Sequence, residues 1–138
     1  MLRTRLATGL LAASLALTVQ ADARVNYLLH CGGCHLVDGR GLPPEVPTLV
    51  GSIGPLAGTA EGRDYLARVP GAAQAPISDA ELAAVLNWIL EAYNADTLPV
   101  GFQPLTAKEI SASRPSALAD PRLARSRLGQ DSIPDQQR

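Results

Sequence analysis

LLHCGGCHLVDGRG, residues 28–41, contains both cysteines and both histidines of the 138-residue chain, all four within His30-Cys31-Gly32-Gly33-Cys34-His35. In an exported protein two cysteines usually form a disulfide. Three other chemistries compete for this pair. A thioredoxin-like redox pair requires a strand before the first cysteine and a βαβ setting, and neither is suggested by the flanking sequence. A zinc site built from all four residues requires side chains on one turn to converge on a tetrahedral ion, whereas zinc motifs space their ligand pairs apart. C-x-x-C-H is the attachment pattern of c-type haem. Two thiols on one helical turn each reach a vinyl group, the next residue places an imidazole under the iron, and Gly32 and Gly33 add no bulk against the ring. The residues point to one covalent haem c tethered by Cys31 and Cys34, with His35 as proximal iron ligand.

Upstream of this stretch, Arg3 and Arg5 precede an apolar run over residues 6–19, and Ala21 and Ala23 stand at signal-peptidase spacing. This predicts a signal peptide over residues 1–23, export to the periplasm and a mature chain from Arg24. The run is 14 residues long, short of the roughly 20 that a bilayer span needs. Without Arg3, Arg5 and Asp22 the chain keeps 10 basic and 12 acidic side chains, a net charge of −2. That balance excludes a nucleic-acid binder, which needs a net basic face. No stable membrane insertion is expected after cleavage.

Downstream, Ala- and Leu-rich segments alternate with Pro/Gly loops, which reads as all-α. Helices are predicted over 24–31, 60–69 and 79–93. Ser78 and Glu81 form a capping box for the last, with Ile77 and Leu82 as its hydrophobic staple. Leu82, Val85, Leu86, Ile89 and Tyr93 share one stripe, and Trp88 on its flank should pack on a second element such as the first helix. Residues 24–103 then form the domain. Residues 104–138 form a Pro-rich extension that adds little core, with short helices capped at Thr106/Glu109 and Asp120-Pro121 and a disordered final nine residues.

Residues 24–93 resemble a class I cytochrome c. The resemblance rests on CGGCH, on VPTLVG (46–51), on RDYLARV (63–69) and on SDAELAAVLNWIL (78–90). It implies a small cytochrome c domain of three to four helices around the haem. It also implies that the Pro47 carbonyl accepts the Nδ1–H of His35, raising the basicity of the ring, and that Leu49 packs on the haem. The family's sixth ligand, a methionine before the last helix, is missing from VPGAAQAPI (69–77), and the one methionine is Met1. Gln74 is the candidate distal-side residue. Lys108, Tyr65 and Tyr93 would ligate only if deprotonated, and His30 lies on the proximal side as a bystander. The resemblance implies an electron carrier rather than an enzyme, working between a periplasmic dehydrogenase and a cytochrome or oxidase. An open sixth position would instead suit a small-ligand sensor or a minor haem enzyme.

Overall fold

A computed structural model describes residues 22–129; the predicted signal peptide up to residue 21 and the predicted disordered tail lie outside the described residues. The chain is all-α, with α1 (Ala23–His30), α2 (Gly32–His35), α3 (Ala60–Arg68), α4 (Pro70–Ala73), α5 (Asp79–Asn94), α6 (Ala107–Ser113) and α7 (Pro121–Arg127). Two 3₁₀ turns, Gly54–Gly58 and Ala95–Thr97, complete it, and the one β pairing among the described residues is the isolated bridge Leu42–Val46. No described helix is long and apolar enough to cross a membrane.

The longest helix, α5, forms where the sequence predicts it. The Ser78 side chain accepts from the Glu81 N–H, and the Glu81 carboxylate accepts from the Ser78 N–H at 2.8 Å. Leu82, Val85, Leu86 and Ile89 are buried in the core that α5 shares with α1, α3 and α6. Its C-terminus is tied down by buried Asn94, whose Oδ1 accepts from the N–H groups of Ile53 and Gly54, each at 3.0 Å. Trp88 packs on α1 as expected. Its ring centroid lies 5.1 Å from Tyr27 and 5.2 Å from Tyr93, giving a tilted and edge-on aromatic trio at the α1–α5 contact.

On α3, the Thr59 side chain caps the helix by accepting from the Gly62 N–H at 3.0 Å. Tyr65 is buried with Leu66 and Ala67. Its burial follows from α7, which covers the side of α3 that a three-helix reading leaves open.

The segment after Gln103 differs most from expectation, because it does add to the core. Leu105 is buried and Ile110 fully so, both within the same cluster as Leu66 and Leu86. The Asn87 side chain pairs with the backbone of Leu105, accepting its N–H at 2.7 Å and donating to its carbonyl at 2.9 Å. The Arg63 guanidinium donates to both Glu109 carboxylate oxygens, at 2.7 and 3.0 Å, and to the carbonyls of Gln103 and Pro104. A bidentate Arg–carboxylate pair of this kind is among the stronger ion pairs.

This pair predicts an acid-linked loss of stability. The Arg63 hydrogen bonds hold the Glu109 carboxyl down to about 2. A carboxyl lowered by folding contributes stability above its unfolded value near 4.3 and loses it as pH falls through the folded value. The side chain is 41% exposed, so solvent screening limits the contribution to about 1 kcal/mol. Glu109→Gln should therefore unfold in less urea than wild type at about pH 6, and the gap should close between about pH 4.5 and 2. A gap that stays constant across this range would show that the ion pair carries none of the stability.

Candidate cofactor site

The C-x-x-C-H segment is one helical turn. The N–H groups of Cys34 and His35 both donate to the Cys31 carbonyl, at 3.1 and 2.9 Å, so the two cysteines and the histidine sit on α2 and its cap. Both cysteines are free thiols, Cys31 half-buried and Cys34 exposed. Burial, and then the neighbouring Cys34, push the Cys31 thiol up. No disulfide joins the pair. Among the described residues no three His, Cys, Asp or Glu side chains gather as metal ligands, and no strand precedes Cys31.

Immediately after His35 the chain turns sharply. Leu36 has φ 62° and ψ 167°, a conformation costly for any residue with a side chain. It is held there by the Tyr27 hydroxyl, which donates to the Leu36 carbonyl at 2.5 Å from the fully buried ring in α1. A second hydroxyl from the aromatic trio, that of Tyr93, donates to the Val37 carbonyl at 3.0 Å. The helix pair α1–α5 thus fixes the backbone leaving α2.

Residues 39–52 return over the histidine. Gly41 N–H donates to the His35 carbonyl at 2.9 Å, Leu42 and Val46 pair through two backbone bonds, and Leu49 N–H donates to the Gly39 carbonyl at 2.7 Å. Pro47 is thereby brought beside His35, and its carbonyl lies 3.0 Å from Nδ1. A carbonyl only accepts, so Nδ1 carries the proton and Nε2 keeps its lone pair. Burial lowers the His35 pKa and the Pro47 bond opposes it, with a net lowering that favours the neutral imidazole a metal ion needs. Leu49 is half-buried against the core.

On the other side, the segment where the family's methionine would stand is built differently from a ligand loop. Pro70–Ala73 form α4, and Gln74 is exposed at its C-cap, its N–H donating to Pro70. Ala75 is buried. The Arg114 guanidinium from the end of α6 donates to the carbonyls of Ala73, Ala75 and Ile77 and to Asp79 at 2.9 Å, so the extension grips this segment from residue 73 to 79. Lys108 is exposed on α6, the Tyr93 hydroxyl is engaged with Val37, and burial pushes the Tyr65 phenol up, away from a ligating phenolate. His30 ends α1 and is half-exposed.

The donor set fits a covalently held haem. Two free thiols share a turn, and an imidazole beside them has one nitrogen engaged and the other free. Arg63, Arg114 and Arg125 are not legible from sequence as site or loop residues. Each is a single arginine in a polar segment, and only tertiary contact reveals what it grips.

No protein-family model matches the chain. It is 34% identical over 127 residues to a cytochrome c-552 of Thermus thermophilus, covering 79% of this chain and 84% of the relative. A second cytochrome c-552 from Thermus thermophilus is 32% identical over 117 residues, covering 72% of this chain and 88% of the relative. Both matches take in more of the chain than the 24–93 segment on which the sequence resemblance rests.

Proposed function

This chain belongs to the c-type cytochromes, and from that premise we propose that it is an exported, mono-haem carrier of single electrons between periplasmic redox proteins. The observation that carries the reading is the pairing of two free thiols on the α2 turn with a His35 whose Nδ1 is taken by Pro47. Haem iron supplies the one-electron couple. Cys31 and Cys34 would hold the group through thioethers. His35 would offer Nε2 as the proximal ligand, and the Pro47 carbonyl would keep its ring oriented and electron-rich. Leu49 would add apolar contact beside it. The natural partners are a dehydrogenase as donor and a second cytochrome or an oxidase as acceptor, met through a small, transient contact.

The sixth position bears on a second reading. With no methionine after Met1 and Gln74 exposed, the distal side of this chain offers no thioether. The reduction potential should then lie below that of His/Met cytochromes, because axial methionine raises it. An open position also suits a small-ligand sensor or minor haem enzyme, the alternative this observation favours.

Purified protein should keep its haem through acid–acetone extraction and titrate reversibly with one electron. Haem lost to the acetone, or absent altogether, would end the reading. Carbon monoxide added to the ferrous protein separates the two alternatives. Slow or partial binding to a high-spin ferrous form is the result expected of the carrier, and rapid, complete binding would favour the sensor instead. A low-spin ferrous spectrum with no binding would remove the open position and require a strong sixth ligand.

A further inference from the structure

Residues 69–78 connect the end of α3 at Arg68 to the start of α5 at Asp79. The C-terminal extension holds this connection at both ends. At its start, the Arg68 Nε–H donates to the Ser116 carbonyl at 2.6 Å, and the Leu118 N–H donates to the Arg68 carbonyl at 2.9 Å. Towards its end, Arg114 at the C-cap of α6 donates from Nε to the Ala73 carbonyl at 3.0 Å, from Nη2 to the Ala75 carbonyl and from Nη1 to the Ile77 carbonyl at 2.8 Å. Nη1 also meets Asp79 Oδ1 at 2.9 Å, and the Arg114 side chain is only 15% exposed. One planar fork thus spans three alternate carbonyls, which a single ammonium cannot do. Arg114 is itself fixed, because fully buried Ile110 and the Arg63–Glu109 pair anchor α6.

The grip falls on either side of Gln74. Arg114 takes the carbonyls of Ala73 and Ala75, and the Gln74 N–H donates to the Pro70 carbonyl at 3.0 Å. Ala75 is buried, while Gln74 is exposed. Turning Gln74 over would expose Ala75 and strip a mostly buried guanidinium of its acceptors, and a buried polar group left unmet is costly. Gln74 is also the one residue of 69–78 with a free side-chain atom to offer a metal. The others are Val, Pro, Gly, Ala and Ile, and Ser78 is occupied as the N-cap of α5.

We propose that Arg114 is a latch that keeps position 74 turned to solvent, so that the C-terminal extension holds the sixth position of the haem open. The missing methionine is then only half of the reason for that opening. This rests on the covalent-haem and open-position reading above. Arg114 is a positioning residue here, acting through the backbone of residues 73–77. The extension thereby leaves the iron to ligands from solution and withholds the one its own connection carries.

The test gives position 74 a strong iron ligand and asks whether Arg114 keeps it away. Wild type, Gln74→His, Arg114→Gln/Gln74→His and Arg114→Gln/Gln74→Ala are purified as holoprotein, and ferrous spectra are recorded before and after carbon monoxide. Position 74 is exposed, so Gln74→His should fold as wild type does. With Arg114 in place it should keep the wild-type high-spin spectrum and carbon monoxide affinity. Once Arg114 is lost, the histidine should reach the iron and give a low-spin spectrum. The apparent carbon monoxide affinity should then fall at least about tenfold, because only molecules with the histidine swung out are competent. Arg114→Gln/Gln74→Ala should return to the high-spin form, which separates ligation by residue 74 from a general loosening of the fold. Should the Arg114→Gln variants take up no haem, Arg114→Lys/Gln74→His replaces them and should show the same low-spin change, since lysine keeps the charge without the fork. A low-spin Gln74→His would overturn the proposal, and so would a high-spin histidine variant lacking Arg114. A low-spin Arg114→Gln/Gln74→Ala would overturn it too, because the ligand would come from elsewhere. Wild type without covalent haem, or already low-spin when ferrous, would overturn the open-position reading and this one together. An open wild type with a closed Gln74→His would overturn this one alone.

Discussion

A chain ended after Gln103 is expected to lose its cooperative unfolding transition. The cut removes Leu105 and Ile110 from the shared core, and burying an aliphatic side chain of this size contributes roughly 1.5–3 kcal/mol. It also leaves buried or half-buried polar groups behind. The Arg63 fork loses Glu109 and the Pro104 carbonyl, and Asn87 loses both of its bonds to Leu105. The carbonyls of Ala73, Ala75 and Ile77 lose Arg114. Each lost hydrogen bond costs about 0.5–1.5 kcal/mol, and more where its partner stays out of water. Together these losses reach the lower end of the roughly 5–15 kcal/mol that holds a whole domain together. Urea unfolding followed by far-ultraviolet circular dichroism decides the matter. A truncated chain with a midpoint close to that of the full chain would show that the extension is merely appended. The loss should also register at the site, because α6 leads to the arginine that grips residues 73–79 and α7 carries those that grip the Pro47 loop.

The extension's part in the core leaves no local mark in the sequence. Leu105 and Ile110 are isolated apolar residues among Pro, Ser and charge, and a periodicity argument needs several residues on one stripe. Their burial comes from two long-range anchors, Asn87 to the Leu105 backbone and Arg63 to Glu109, neither of which has a local signal. The capping boxes, by contrast, are local. Ser78/Glu81 and Thr106/Glu109 both form as predicted, and so does the Asp120 cap of α7. The ends of α1, α3 and α5 fall within one residue of the predicted limits for the same reason.

The site divides in the same way. One turn brings Cys31, Cys34 and His35 together, so their spacing alone makes them legible. The His35–Pro47 contact spans 12 residues and is legible only through the resemblance, because no rule of composition separates Pro47 from Pro43, Pro44 and Pro55. Arg125 lies 90 residues beyond His35 in sequence and bonds the Ser52 carbonyl only because α7 folds back across the loop.

Gly41→Ala should damage stability and the proximal side together. Gly41 has φ +68°, and a Cβ there would lie 2.5 Å from the Val46 carbonyl oxygen and 2.6 Å from that of Pro47. Both obstacles are backbone, so neither swings aside as a side chain does. The left-handed conformation costs roughly 1–2 kcal/mol for a residue with a Cβ, and displacing the loop should bring the total to about 3 kcal/mol. The Pro47 carbonyl that must move is the acceptor 3.0 Å from His35 Nδ1. Losing that acceptor makes the imidazole a poorer electron donor, so the midpoint potential of the holoprotein should rise. Gly51→Ala is the control. Gly51 has φ +63°, but a Cβ there meets nothing within 4 Å. It isolates the conformational cost, about 1 to 2 kcal/mol, and should leave the potential where it was. If the two variants unfold at the same urea concentration and share one potential, then the close approach at Gly41 does not hold Pro47 against His35. If Gly41→Ala alone loses the extra stability and shifts the potential, the glycine earlier in the loop acts on the axial ligand through the carbonyl it leaves room for.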